Sequence, residues 1–306
     1  MVRGWVPGFV VLSALWGSSF ALIKVAVDAG VAPLWVALWR CLFGTLALLA
    51  VCAVRRSPLP RDPGTWGHAL VVAALVNAAP FALFAHGERY VDSVSAGVFN
   101  ATTPLPTLLF AAVLVADERL TATRVAGLVL GFCGVLVVLG AWDGIAGGTL
   151  VGALSCLAAT TCYGAGFAYT RRFFSGRPGS AAALSAVQVG CATAELAAVA
   201  AVVGPAPTRP GWAAAGALLV LGAFGTGFAY VLNLEVVRRA GATVASTVTY
   251  ITPLWSTAIG AVLLGEPVGW HTAAGAALVV AGVLVTRRRA SPRSRAPRAT
   301  ASRGCA

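Results

Sequence analysis

The sequence predicts an all-α integral membrane fold, with ten transmembrane helices arranged as two inverted five-helix repeats. Three observations carry this reading. Of the 306 residues, 58% are hydrophobic and 10% charged, against about 25% charged in a water-soluble domain. Apolar segments of spanning length recur along nearly the whole chain, and the first half of the chain recurs in the second. The mean hydropathy of +0.85 agrees. This composition excludes a cytosolic enzyme, a disordered chain, a secreted disulfide scaffold and a soluble domain on a single anchor.

A bilayer core about 30 Å thick needs roughly 20 residues of helix. On that scale apolar segments fall at 6–26, 34–54, 66–86, 93–116, 122–141, 148–170, 181–203, 212–234, 243–264 and 270–286. Turn-formers and charges fill the breaks, as in Asp28-Ala29-Gly30, Glu88 to Asp92, Arg171 to Gly179 and Gly265 to Gly269. The first segment ends at Lys24 without a small-residue cleavage site, so it reads as a span and not a signal peptide.

The net charge of +12 would suggest nucleic acid in a soluble protein. The charges here follow the membrane instead. With the N-terminus inside, 18 of the 22 Lys and Arg residues fall in inner segments, seven of them in the tail from Arg287 to Arg303. Only Lys24, Arg89 and Arg209 lie at the outer side, and Arg40 lies within a span. This asymmetry predicts two cytoplasmic termini, a plasma-membrane location and no nucleic-acid partner. The tail reads as a disordered topology determinant that touches anionic lipid. The use of 21 arginines to one lysine points to a GC-rich bacterial genome.

Thr103-Pro104-Leu105 recurs as Thr252-Pro253-Leu254 at an offset of 149, and Glu118, Gly127 and Gly134 recur as Glu266, Gly275 and Gly282 at 148. Trp16-Gly17 and Phe20 match Tyr163-Gly164 and Phe167 at 147. The chain thus divides into a first repeat at 1–141, a second at 142–286 and the basic tail at 287–306. Five spans per repeat is an odd number, so the second copy enters the membrane inverted. Inverted repeats are a plan of secondary transporters, with the substrate site near midplane where the repeats meet.

Trp-Gly-x-x-Phe in span one, Arg40 in span two, and Pro followed 13–14 residues later by Glu, then Gly and Gly, resemble the EamA family of the drug/metabolite transporter superfamily. The resemblance covers about residues 6–286. It implies a transporter moving a small polar metabolite by alternating access, with amino acids or related metabolites as cargo and export as direction. A drug exporter or a metabolite importer of the same superfamily stays open, as does a non-transporting membrane enzyme or scaffold. It also implies that spans one, three, four, six, eight and nine surround a central cavity.

Polar groups inside a membrane face the bundle or a cavity. The expected cavity residues are Trp16, Asn77, Phe81, Asn100, Tyr163, Tyr230 and Tyr250. Phe81 and Tyr230 occupy matching places and are expected to pair across the pseudo-twofold. Pro104 and Pro253 each remove a backbone donor, giving a kink or a gate. Glu195, deep in span seven, is the candidate for proton coupling. Arg40 reads as a buried or snorkelling structural charge, opposite Gln188 in the second repeat. Glu118 and Glu266 are expected to cap the helices that follow them. The stripes Gly127-x3-Gly131 and Gly144-x3-Gly148-x3-Gly152 permit close approach within the chain, with a homodimer as the alternative.

Catalytic parts are missing. There is no HExxH, GxSxG or Walker A sequence, and His68, His86 and His271 have no partner spacing. Six of the seven cysteines sit in apolar runs, with no CxxC and no Cys/His metal spacing. No enzyme activity, cofactor or metal is expected.

Overall fold

A computed structural model describes residues 6–114, 122–138, 147–174, 176–204, 206, 209–240 and 248–287. The described residues are helical, without strands. In order they form α1 (Val6–Asp28), α2 (Pro33–Val54), α3 (Pro63–Gly87), α4 (Ser93–Leu114), α5 (Ala122–Val138) and α6 (Gly147–Phe174). Then come α7 (Ala181–Val203), α8, α9 (Val248–Leu263) and α10 (Trp270–Arg287). Helix α8 runs from Trp212–Gly222 through Ala223–Phe228 to Ala229–Ala240. Seven of these helices are long and apolar enough to cross a membrane; the apolar runs of α5, α9 and α10 are shorter. Glu118, the Gly144 turn and the tail beyond Arg287 lie outside the described residues.

The helix starts carry ordinary capping chemistry. The Asp62 carboxylate accepts from the Thr65 backbone N–H at 2.8 Å, just before Pro63 opens α3. Asp92 accepts from the Ser95 N–H at 2.6 Å at the head of α4, and Ser180 from the Ala183 N–H at 3.1 Å at the head of α7. Each side chain satisfies one of the orphan donors of a first turn. The Asp62 carboxyl is held below the usual carboxylate range by its bonds from the Thr65 hydroxyl and backbone, with a smaller pull from Arg177.

Helices α3 and α8 share an irregularity. Each widens into a π turn, at Ala74–Ala78 and Ala223–Phe228, an offset of 149. The turns hold Asn77 and Thr226, also 149 apart, and both side chains are fully buried. A π turn frees carbonyls from the regular ladder and redirects side chains; here it brings polar ones into the middle of a bundle.

The matched prolines differ in their backbone. Helix α4 breaks at Ala101–Thr103 and restarts at Pro104, while Pro253 lies inside the continuous α9. The same device nonetheless serves both. The Thr103 hydroxyl donates to the Asn100 carbonyl at 2.7 Å, and the Thr252 hydroxyl to the Thr249 carbonyl at 2.9 Å. Those are the carbonyls whose regular donor the proline removes, so the Thr-Pro pair repairs its own defect.

The glycines of the repeated blocks join α5 to α10 within the chain. A Cβ at Gly282 would lie 2.5 Å from the Gly131 nitrogen, and one at Gly134 would lie 2.7 Å from the Val279 nitrogen. Backbone meets backbone there, so neither side can give way. Gly282→Leu is therefore expected to lower stability by about 1–3 kcal/mol. Gly216→Leu, at a site with nothing within 4 Å, is expected to change little. Thermal unfolding of the purified variants in detergent checks both.

Candidate functional site

A cavity of about 320 Å3 lies among the helices. Its walls come from both halves of the chain: α1 contributes Trp16, Ser19, Phe20 and Ile23, α2 Arg40, and α3 Val76, Phe81 and Phe84. Helix α4 adds Asn100 and Thr103, α6 Tyr163, Phe167 and Thr170, α7 Ser185 and Gln188, α8 Tyr230 and Asn233, and α9 Thr249. Among these side chains Arg40 alone carries a formal charge. The volume suits a small molecule, and aromatic walls with a few polar groups are what such sites commonly show.

The polar groups are tied across the two halves. The Gln188 amide donates to Asn77 Oδ1 at 2.6 Å, and the Asn77 amide donates to the Tyr230 hydroxyl at 3.0 Å. Arg40 Nε donates to the Thr226 hydroxyl at 3.0 Å. Arg40 and Gln188 stand at matching places in spans two and seven, as do Asn77 and Thr226 in spans three and eight. Each π turn thus presents a polar side chain to the second helix of the opposite half. Thr45 and Thr193, 148 apart, also bond to each other, at 3.0 Å between hydroxyl oxygens.

Trp16, Phe81, Asn100, Tyr163 and Tyr230 come together on this cavity. Asn77 lies behind the wall, fully buried, where it orients Tyr230 and Gln188. Phe81 and Tyr230 take separate partners: Phe81 carries the Arg40 guanidinium, its carbon 3.8 Å from the ring centroid, while Tyr230 bonds Asn77. Pro104 and Pro253 sit beside the lining residues Thr103 and Thr249 without themselves lining the cavity. The side chain of Tyr250 lies outside the described residues. Glu195 is half-buried on α7, away from the cavity wall. Arg40, expected to be a buried or snorkelling structural charge, is buried and also forms part of the wall. Sequence reasoning passed over Thr226, although its offset from Asn77 was a usable signal.

Two side chains tie helices together at the end of the bundle that carries Asp28. Lys24 Nζ donates to the Glu88 carbonyl at 2.9 Å and pairs with Asp28 at 3.1 Å. Glu266, expected to cap the helix after it, reaches across to α4 instead. Its Oε1 accepts from the Ser93 N–H at 2.9 Å, and its Oε2 from the Ser93 hydroxyl at 2.7 Å and the Val94 N–H at 3.1 Å. The reason is electrostatic: the free N–H groups of α4 point at the α9–α10 turn and attract an anion.

The amino-acid sequence pattern of the EamA-like transporter family matches residues 4–140 and again 150–288. The chain belongs to that family. It is a multi-pass membrane protein, and two of the relatives it resembles are transporters by name. It is 25% identical over 291 residues to an uncharacterized transporter of Archaeoglobus fulgidus, covering 90% of this chain and 95% of that one. Protein PagO of Salmonella typhimurium is 27% identical over 131 residues, 43% of this chain and 42% of that protein. An uncharacterized transporter of Buchnera aphidicola is 29% identical over 121 residues, 40% of this chain and 39% of the relative. The match to these last two therefore spans well under half of their length. A protein of known crystal structure shares the fold with a TM-score of 0.63 at 20% identity, covering 94% of this chain and 97% of that one.

Glu88 follows α3 in the turn to α4 with its side chain fully buried, and neither carboxyl oxygen has a hydrogen-bond partner among the described residues. Burial pushes its carboxyl well above the usual carboxylate range; Lys24 and Arg40 oppose the shift, and Glu266 and Asp28 add to it. A folded pKa above the unfolded one means that stability is fully present below the unfolded value and is lost as pH rises through the folded value. Wild-type protein is thus expected to lose thermal stability with rising pH more steeply than Glu88→Gln, whose amide stays neutral. Unfolding temperatures of both proteins across pH 5–9 check this, and parallel curves would contradict it.

Proposed function

We propose that this chain is a secondary transporter of the plasma membrane that exports amino acids or related small polar metabolites by alternating access. The ten helices are ten spans, in two inverted repeats at 1–141 and 142–286. Both termini and the basic tail at 287–306 lie in the cytoplasm. One observation carries the reading: a polar cavity is built from both halves of the chain, and several of its polar groups are held by bonds that cross between the halves. A rocking motion of one half against the other would reshape this cavity from each side in turn.

The Asp28 end is then the outer face, and the Glu266 clasp on α4 is its closed gate. Lining residues such as Thr170, Ser185 and Thr249 continue the cavity toward the opposite, cytoplasmic end. A cavity with an arginine and several amides favours polar cargo over an apolar drug.

Efflux from proteoliposomes preloaded with labelled amino acids tests the proposal. Selective release above protein-free liposomes is expected. Asn77→Ala unties both Tyr230 and Gln188 inside the bundle, an effect of about 1–3 kcal/mol. It is expected to slow release by roughly tenfold or more while membrane insertion stays normal. No release from folded, inserted wild-type protein would overturn the reading.

A further inference from the structure

Arg40 is an unusual residue to find where it sits. It is 8% exposed, on a 22-residue apolar helix. A buried cation is costly unless an anion and hydrogen bonds compensate it. Among the described residues no carboxylate lies within ion-pairing distance of Arg40. Its protein partners are neutral: the Thr226 hydroxyl at Nε and the face of Phe81. Glu88 acts on it electrostatically from the α3–α4 turn, but burial holds that carboxyl toward its neutral form.

Both neutral contacts fix the guanidinium in place. The Phe81 ring carries its flat face and Thr226 takes Nε, which would leave the paired terminal amino groups to a molecule in the cavity that Arg40 lines. That is the fork geometry with which arginine binds a carboxylate through two parallel bonds. The opposite half shows what the fold itself requires at this place. The matching residue, Gln188, satisfies the opposite π turn with an uncharged amide, bonding Asn77 as Arg40 bonds Thr226. The fold needs a donor there, and a formal charge is surplus to that need.

We infer that Arg40 is the anchor for a carboxylate on the transported molecule, so that the cargo is a small carboxylic acid or zwitterion and not an organic cation. This deepens the transport reading and rests on it. Among the described residues no acid lines the cavity, so an ammonium group on the cargo would meet neutral acceptors and aromatic faces there. The carboxylate is required and the amine is dispensable.

The test is ligand-induced thermal stabilisation of the purified full chain. The probes are the twenty amino acids, a set of 2-hydroxy and 2-oxo acids, the amide and the decarboxylated amine of each acid that binds, and inorganic phosphate. One or more carboxylates are expected to stabilise the protein, and their amides and amines to bind at least tenfold more weakly. Arg40→Gln copies the side chain that the second half carries at Gln188; it is expected to fold and to lose carboxylate binding by tenfold or more. Arg40→Lys is expected to keep part of it. The proposal is overturned if amides bind as well as acids, if Arg40→Gln binds like wild type, if phosphate alone stabilises, or if no carboxylate does. Arg40-dependent binding without any flux in proteoliposomes would leave the anchor standing and remove the transport reading. Flux of an uncharged or cationic cargo that Arg40→Gln leaves intact would do the reverse.

Discussion

Hydrocarbon offers no hydrogen-bond partners, so every polar side chain carried into the spans has to be met by the protein itself. This constraint organises the centre of the molecule. Asn77 and Thr226 sit in π turns at matching positions, and each is answered from the second helix of the other half, by Gln188 and by Arg40. The Thr226 hydroxyl also reaches the Leu221 carbonyl of its own helix, at 3.4 Å, while the Asn77 amide is met by Tyr230 and Gln188 of the other half. The bonds therefore align the two halves and leave a polar cavity between them. The Thr-Pro pairs obey the same constraint on a smaller scale, since Thr103 and Thr252 bond the carbonyls that Pro104 and Pro253 release.

A centre held by directional bonds and flanks held by close backbone contact make a particular kind of machine. Helices α5 and α10 meet glycine to backbone and form a firm seam. At the Asp28 end, by contrast, Glu266 grips α4 through one side chain, which can let go without repacking a core. On the transport reading, a firm seam with a releasable clasp would let the two halves rock against each other.

The apolar helices were legible because they are written in composition: twenty-residue apolar runs mark them, and seven of the described helices are long and apolar enough to cross a membrane. The duplicated Thr-Pro-Leu and Glu…Gly…Gly blocks fall in the two stretches that the family pattern matches. Trp16, Phe81, Asn100, Tyr163 and Tyr230, which share the cavity, were visible as polar or aromatic residues in the expected helices. The π turns were not legible, since Ala74–Ala78 and Ala223–Phe228 read as ordinary helix. Without them Asn77 could not be placed behind the wall, nor Thr226 opposite Arg40. Glu266 also misled: a carboxylate near a helix start suggests a cap on that helix, and only tertiary structure brings the α4 N-terminus within its reach. Arg40 read as structural because burial of a charge in a span has that bland explanation; its place on the cavity wall comes from tertiary structure alone.

The central claim is that the two halves move against each other around one cavity. Paired spin labels test it most directly, with one pair at Ala29 and Gly265 at the Asp28 end and another at Ser57 and Gly176 at the opposite end. Distances measured with and without a transported acid should change in opposite senses, one end widening as the other narrows. Distances that stay fixed, or that widen at both ends together, would contradict alternating access.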